Sequence, residues 1–219
     1  MDYLERLWAE NPTTVAALGV LLVCILAILS ALIRARQRSR DLLAALGDSA
    51  RGQVVLLRPL GLWGFEAAIQ PAPEPFSQFV VRYRAAPALL AWLLRPLLYG
   101  ANQLTFQASL NTRPAGELLW IRGQVPSRAL GKGTELGLWV QHRLDISGSE
   151  YATRGPNPGA LQHVFLDLQT RFGPILRKVS IQADAAPEME VVVRTRGLNP
   201  EQIPALVATL RAAGRAALY

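Results

Sequence analysis

From Pro12 to Ile33 the chain runs for 22 residues without a charge, most of them Leu, Val, Ile or Ala. About 20 apolar residues are enough to cross a bilayer as a helix, so this stretch predicts a transmembrane helix. It does not read as a cleaved signal peptide. The residues before it are acidic rather than basic, and Ala31 to Gln37 leads into arginines rather than a small-residue cleavage site. Asp41 to Gly47 predicts a short helix that continues from the membrane and closes at the glycine.

Beyond residue 50 the pattern turns strand-like. Val54 to Leu57 and Gly64 to Gln70 are short apolar runs, and the proline-rich stretch from Gln70 to Pro75 is a connection that no central strand accommodates. Phe76 to Arg84 is rich in β-branched and aromatic residues, and its end alternates Val81 and Tyr83 with Arg82 and Arg84, as a half-buried strand does. Ala88 to Tyr99 predicts a helix that is apolar nearly all round, with Arg95 its one charge. At about 12 residues it is too short to span. It is either the central core helix of the domain or a segment against the bilayer, for which Trp92, Arg95 and Tyr99 are interface-favouring types.

Gln103 to Leu110 places Leu104, Phe106, Ala108 and Leu110 on one face, Asn111 to Gly116 is a turn, and Glu117 to Arg122 is apolar again. Together they predict a hairpin. Thr134 to Ile146 predicts a further strand and Gly148 to Gly159 a loop of Gly, Ser, Pro and Asn. Ala160 to Phe172 carries Leu161, Val164, Phe165, Leu168 and Phe172 at helical spacing before the Gly173-Pro174 stop. Strands over Ile175 to Ala183 and Glu188 to Arg196 follow, and a last helix opens near Asn199 or Pro200 and runs to about Leu218.

The predicted fold class is therefore α+β: a transmembrane helix, then a mainly antiparallel sheet with three packed helices. Leu104 to Ala108 resembles Val179 to Ala183, and Glu117 to Arg122 resembles Glu190 to Arg194, which suggests a duplicated β-α-β-β unit with halves over 76–123 and 134–196. The expected organisation is a short extracytoplasmic start over 1–11, the membrane helix over 12–33, a basic juxtamembrane helix over 34–47 and a cytoplasmic domain over 48–219.

Charge sets that orientation. Asp2, Glu5, Glu10 and Arg6 precede the apolar run, whereas Arg34, Arg36, Arg38 and Arg40 follow it, and Lys and Arg are retained on the cytoplasmic side. The least demanding role of the four arginines is to fix topology. They also suit anionic headgroups, at roughly 1 kcal/mol each near the surface. The net charge of +7 leaves residues 41–219 only mildly basic, with 18 basic against 13 acidic residues. There is no concentrated basic stretch beyond the cluster, and Arg82 and Arg84 alternate with Tyr83 rather than sharing its face, so nucleic acid is not an expected partner.

Candidate chemistry is sparse. Cys24 is the one cysteine and lies in the apolar run, which excludes a disulfide framework or a cysteine zinc site within one chain. His142 and His163 are the two histidines and stand in no metal-binding pattern. Gly131 to Thr134 is glycine-rich, but Gly133 follows Lys132 where a phosphate loop needs Ser or Thr, and Pro126 stands where it needs glycine. Neither a nucleophile elbow nor a dinucleotide fingerprint occurs. Glu117, Asp145, Asp167 and Glu190 belong to different predicted elements and name no catalytic pair. No cofactor, metal or catalytic residue is implied, and the chain reads as a non-enzyme.

From Leu89 to Arg122 the order is an apolar helix carrying Leu94, Arg95 and Pro96, then the alternating strand Gln103 to Asn111, then a second apolar strand. This order resembles the cytosolic domain of the calumin family. These are eukaryotic endoplasmic-reticulum proteins with one membrane helix that join a multipass-protein chaperone complex at the ribosome-bound translocon. The resemblance implies a single helix followed by a cytosolic α+β domain and a non-enzymatic helper of membrane proteins. The family's long acidic lumenal region and basic coiled-coil tail have no counterpart in these 219 residues, so calcium binding and ribosome contact are not carried over.

The functional expectation is a single-pass, membrane-anchored binding or scaffold protein, an accessory or assembly subunit of a membrane-protein complex. Its partner would be a membrane protein met through Leu89, Trp92, Leu93, Arg95 and Tyr99, with the final helix as a second surface. Arg34, Arg36, Arg38 and Arg40 would face anionic lipid headgroups, and small residues Ala27 and Ala31 leave room for pairing between copies. The alternatives are a lipid-binding domain at the cytoplasmic membrane face and an enzyme whose site is assembled from scattered polar residues such as His142, His163 or Asp167.

Overall fold

The computed structural model describes residues 12–50, 52–60, 64–85, 102–123, 125, 130, 138–144, 149–156 and 158–219. The first described element is one continuous helix, α1 (Pro12–Ala50). At ~1.5 Å per residue it is about 58 Å long, twice the hydrocarbon thickness of a bilayer. Its two halves differ in kind. The apolar window of the first half is wholly unburied, with Leu18, Val20 and Val23 at 57, 65 and 65% exposure. In the second half Leu42 and Leu46, one turn apart, are completely buried, and Leu43 and Ala45 are packed beside them. Gly47 does not end the helix as expected. Packing of the Leu42 and Leu46 stripe carries α1 three residues further, and only contact with a Val54 methyl group is near the glycine.

Nine strands then form one sheet: β1 (Gln53–Pro59), β2 (Gly64–Gln70), β3 (Phe76–Arg84), β4 (Gln103–Leu110), β5 (Glu117–Ile121), β6 (Val140–Arg143), β7 (Glu150–Arg154), β8 (Leu176–Ile181) and β9 (Met189–Arg194). Their order is β1-β2-β3-β4-β9-β8-β5-β7-β6, with every neighbouring pair antiparallel. Among the described residues two further helices follow, α2 (Pro158–Phe172) and α3 (Ile203–Leu218), the latter entered through a 3-10 turn whose Asn199 forms a capping box with Gln202. The chain is α+β, with a long apolar helix, an antiparallel sheet and two further helices. The predicted helix over 88–99, including Leu89, Trp92, Leu93, Arg95 and Tyr99, lies outside the described residues.

The topology corrects two expectations. β4 and β5 are not a hairpin: β4 pairs with β3 and β9, and β5 with β8 and β7. The β8–β9 hairpin enters between them, and residues 111–116 arch over its turn, where Arg113 meets Asp184 at 2.6 Å. Alternation identifies a strand's faces but not its neighbour, and strands with one apolar face each accept several partners. Secondly, the glycine- and proline-rich loop holds β7, whose Tyr151, Ala152 and Thr153 are buried between β5 and β6. Five strand residues were hidden by the turn formers around them. The two proposed repeats also pair differently. β3 and β4 are antiparallel neighbours, whereas β7 and β8 run parallel on either side of β5.

α3 packs against both α1 and α2, α1 also against β1 and β2, and α2 against β5 and β7, so the three helices cover one face of the sheet. Gly214 lets α3 approach β3: a Cβ there would come within 2.7 Å of the Phe76 ring. The Ala217 carbonyl accepts from the amides of Ala115 and Gly116, tying the end of α3 to the β4–β5 arch. The main core between these layers includes Phe79, Phe106, Trp120 and Phe165. A second, smaller cluster joins Leu119, Leu130, Trp139 and Ala152.

Candidate membrane-side site

The register places one end of every central strand together. Gly64 pairs with Arg84, Arg84 with Gln103, Gln103 with Arg194, Leu176 with Val193, and Ile121 with Lys178. α1 runs along the sheet towards the opposite end, so its apolar half leaves from this one. Arg38 fixes the junction. Its Nη2 donates to the Thr195 carbonyl at 3.0 Å and to that of Leu198. These carbonyls follow the end of β9, where the ladder no longer supplies donors, and a guanidinium with several N–H groups can satisfy both. Arg38 follows Ile33, the last apolar residue, by five positions, about 7.5 Å along the helix.

Arg38 therefore differs from the other arginines of its cluster, since Arg34, Arg36 and Arg40 are exposed whereas Arg38 is half-buried against the domain. More arginines gather at the same end of the sheet: Arg84, Arg122, Arg177, Arg194 and Arg196. Partial burial first, and then repulsion from Arg194 and Arg122, holds the Arg177 guanidinium below the ordinary arginine range. Arg122 Nη1 donates to the Pro174 carbonyl at 2.8 Å. Two described carboxylates stand on the strands at this end: Glu150 is exposed at the start of β7, and Glu66 is buried and shared by Arg58 and Arg82 at 3.0 and 2.9 Å. Burial works to raise the pKa of Glu66, but hydrogen bonds and charge from the two arginines outweigh it and hold the carboxyl below its ordinary 4.5. Glu201 stands in the 3-10 turn that precedes α3, where it accepts from the Asn199 side-chain amide.

A groove of about 700 Å³ opens between α1 and this end of the sheet. Ala31, Arg34, Ala35 and Arg38 form its helix wall, and Tyr83, Ala85, Asn102, Thr195, Arg196 and Gly197 form the other. Asn102 holds φ 58°, a left-handed conformation that asparagine tolerates, and its carbonyl accepts from the Thr195 amide at 2.9 Å. Tyr83 is 2% exposed. Burial pushes its phenol above the ordinary 10.0, partly offset by the Arg38 charge and a hydrogen bond with the Thr195 side chain. Ala85 and Asn102 are the described residues on either side of the apolar segment 86–101, and both line the groove. Sequence reasoning did not single out Tyr83, Asn102, Thr195 or Arg196 for a site, because nothing in their local pattern links positions so far apart.

The other residues considered for chemistry stay apart. His142 Nε2 is 2.9 Å from both the Thr153 hydroxyl and the Gln162 side-chain nitrogen, and its ring stacks on Tyr151 at 4.8 Å. His163 is exposed on α2 in a shallow groove with Asp167 and Arg171, which form a 2.8 Å pair of their own. Glu117 is buried against Arg154 at 2.5 Å, with Arg154 lying over the Trp139 ring and reaching Asp184 at 3.7 Å. Glu190 pairs with Lys178. Asp145, Gly131 and Lys132 lie outside the described residues. Among those described, no group of three His, Cys, Asp or Glu side chains could hold a metal ion. Each described carboxylate named as a candidate for chemistry is engaged by a cation, so none is displayed as a general base.

Comparison with protein-family models finds no match, and comparison with curated proteins finds none either. What the chain shows is a candidate membrane-spanning helix near its N-terminus, which supports a single-pass membrane protein.

Proposed function

We propose that this chain is a membrane-anchored, non-catalytic binding module, an accessory or assembly subunit whose domain works on a partner in the same membrane. The observation that carries the reading is the dual use of α1. The helix that presents an uncovered apolar surface over its first half is a core element of the domain over its second, and no linker intervenes. Leu42, Leu46 and the Arg38 bonds hold the domain at a fixed height and angle instead of on a tether. A domain so fixed reaches targets beside it in the membrane plane and little else. The arginines on the domain side of the helix favour a cytoplasmic domain.

A partner surface is supported by β1. Val55, Leu56 and Leu57 are 36, 54 and 47% exposed on this edge strand, and among the described residues no strand pairs with its outer edge. Three consecutive exposed apolar residues on an open edge are a template for another chain. Ala85 and Asn102, the described residues that flank 86–101, line the groove with Arg34 and Arg38, and a contact of Leu89, Trp92, Leu93, Arg95 and Tyr99 with a membrane partner or the bilayer belongs to the same proposal. The resemblance to the calumin family agrees with a helper of membrane proteins.

Crosslinking with mass spectrometry in native membranes tests the proposal. Reproducible links from the domain to one membrane protein or complex are expected. Links confined to the chain itself, in repeated preparations, overturn it. The second reading, lipid binding at the cytoplasmic face, is favoured by one specific feature, the arginine-lined groove.

A further inference from the structure

The groove between α1 and the sheet has the composition and position of a headgroup pocket. We infer that it binds the phosphate of one anionic phospholipid, with Arg34 and Arg196 as the phosphate ligands and the alanines of α1 beside the start of the acyl chains. The inference deepens the lipid-binding reading and rests on α1 lying in a bilayer.

Charge is the first argument. Among the described residues, three guanidiniums, those of Arg34, Arg38 and Arg196, line the groove, and no carboxylate does. Arg38 is committed to the Thr195 and Leu198 carbonyls and contributes field more than contact. Arg34 spends two N–H groups on Ser30, at 3.2 Å to its carbonyl and 3.1 Å to its hydroxyl, and keeps three of its five. Arg196 is exposed and forms no hydrogen bond or ion pair among the described residues. Arginine presents a planar fork suited to phosphate oxygens, and charge-assisted bonds of this kind are about twice as strong as neutral ones.

Position is the second. With the hydrocarbon boundary at Ile33, Arg34 to Arg38 occupy the next ~7.5 Å along the helix. The headgroup layer on each side of a bilayer is about 5–8 Å deep. The phosphate level and the groove therefore coincide. Ala31 and Ala35, one turn apart, give the groove an apolar helix wall that continues into the exposed Leu, Ile and Val surface below, so acyl chains leave it directly into the membrane. Its volume, about 700 Å³, lies within the ~300–1,000 Å³ of small-molecule pockets.

The test uses the full chain in a neutral detergent, titrated with dioctanoyl phosphatidylglycerol, dioctanoyl phosphatidylcholine or inorganic phosphate and read by native mass spectrometry and calorimetry. The expected result is one phosphatidylglycerol per chain, bound more tightly than phosphatidylcholine. Replacing Arg34 and Arg196 together by Gln is expected to weaken it about ten- to thirty-fold, at roughly the headgroup attraction of two arginines. An Arg113→Gln, Arg171→Gln variant, matched in charge and remote from the groove, is expected to bind as the parent does. All four side chains are largely exposed, and retained tryptophan fluorescence checks the fold. Equal loss in both variants, or none in either, overturns the site, as does absence of phosphatidylglycerol binding, the result expected if residues 86–101 fill the groove themselves. Inorganic phosphate binding as tightly as phosphatidylglycerol, with the same arginine dependence, keeps a phosphate site and overturns its assignment to lipid. Carbonate extraction separates the premise from the inference: a chain that stays in the membrane pellet but binds no lipid loses the groove assignment alone.

Discussion

Leu46→Ala tests whether α1 is one element with two roles. Leu46 is completely buried and belongs to the main core, one turn beyond Leu42 on the half of α1 that packs against α3. Truncating a buried leucine to alanine removes its transfer free energy and leaves a cavity, at a cost of about 2–5 kcal/mol. Alanine's helix propensity returns only a few tenths of that. We take about 3 kcal/mol. With a urea dependence of about 2 kcal/mol per molar for a domain of this size, the unfolding midpoint falls by about 1.5 M at unchanged slope. The assay is urea unfolding of the full chain in detergent, followed by tryptophan fluorescence, since Trp120 and Trp139 are buried at 3 and 9% exposure. Leu22→Ala, at a position 58% exposed in the apolar half, is the control and should leave the midpoint unchanged. A midpoint shift under about 0.3 M for Leu46→Ala would refute the reasoning, because α1 would then be an anchor beside the domain and not part of its core.

Glu66→Gln is expected to cost about 2 kcal/mol, since it removes the acceptor of charge-assisted bonds from Arg58 and Arg82 in a largely buried place. Because the folded carboxyl is held below its ordinary value of 4.5, its contribution is present above that pH and lost as pH falls through the lowered value. Acid unfolding of the variant should therefore be shallower than that of the parent, and identical acid limbs would contradict the pairing. At the other end of the scale, Tyr83 and Tyr151 have phenols raised by burial from 10.0, so unfolding releases protons once the pH exceeds that value. Their contribution is complete below about pH 10 and is lost as pH rises towards the folded values; a midpoint in urea that does not fall between pH 8 and 11 would oppose this. Orientation is measured with Cys24→Ala, Tyr219→Cys in intact cells: an impermeant maleimide should label the new thiol only after permeabilisation, and labelling without it would place the domain outside.

Local chemistry made much of the architecture legible. The uncharged run from Pro12 to Ile33 identifies a candidate membrane span whatever follows it, because hydrocarbon admits such a helix and few other structures. Leu104, Phe106, Ala108 and Leu110 are all buried on one face of β4, as their alternation requires. Leu161, Phe165, Leu168 and Phe172 form the buried stripe of α2, with Val164 at its margin. Asn199 caps the turn into α3, for its side chain accepts from the Glu201 amide. Each of these follows from periods of 2 or 3.6 residues and from the needs of one helix end.

Tertiary structure alone decided the rest. An alternating strand states which face it buries but not which strand it sits beside, so the insertion of β8 and β9 between β4 and β5 was out of reach. β7 stayed hidden because five residues flanked by turn formers carry too little pattern to outweigh them. Arg38 looks like its three neighbours in sequence, and it is singled out only because carbonyls at Thr195 and Leu198, 157 and 160 positions away, need donors there. The groove is assembled the same way, from a helix wall at 31–38 and from 83–85, 102 and 195–197, which meet because the ends of β3, β4 and β9 lie in register against α1. Periodicity is a property of neighbours along the chain, whereas a site of this kind is a property of strand order and register, which depend on the packing of the whole domain.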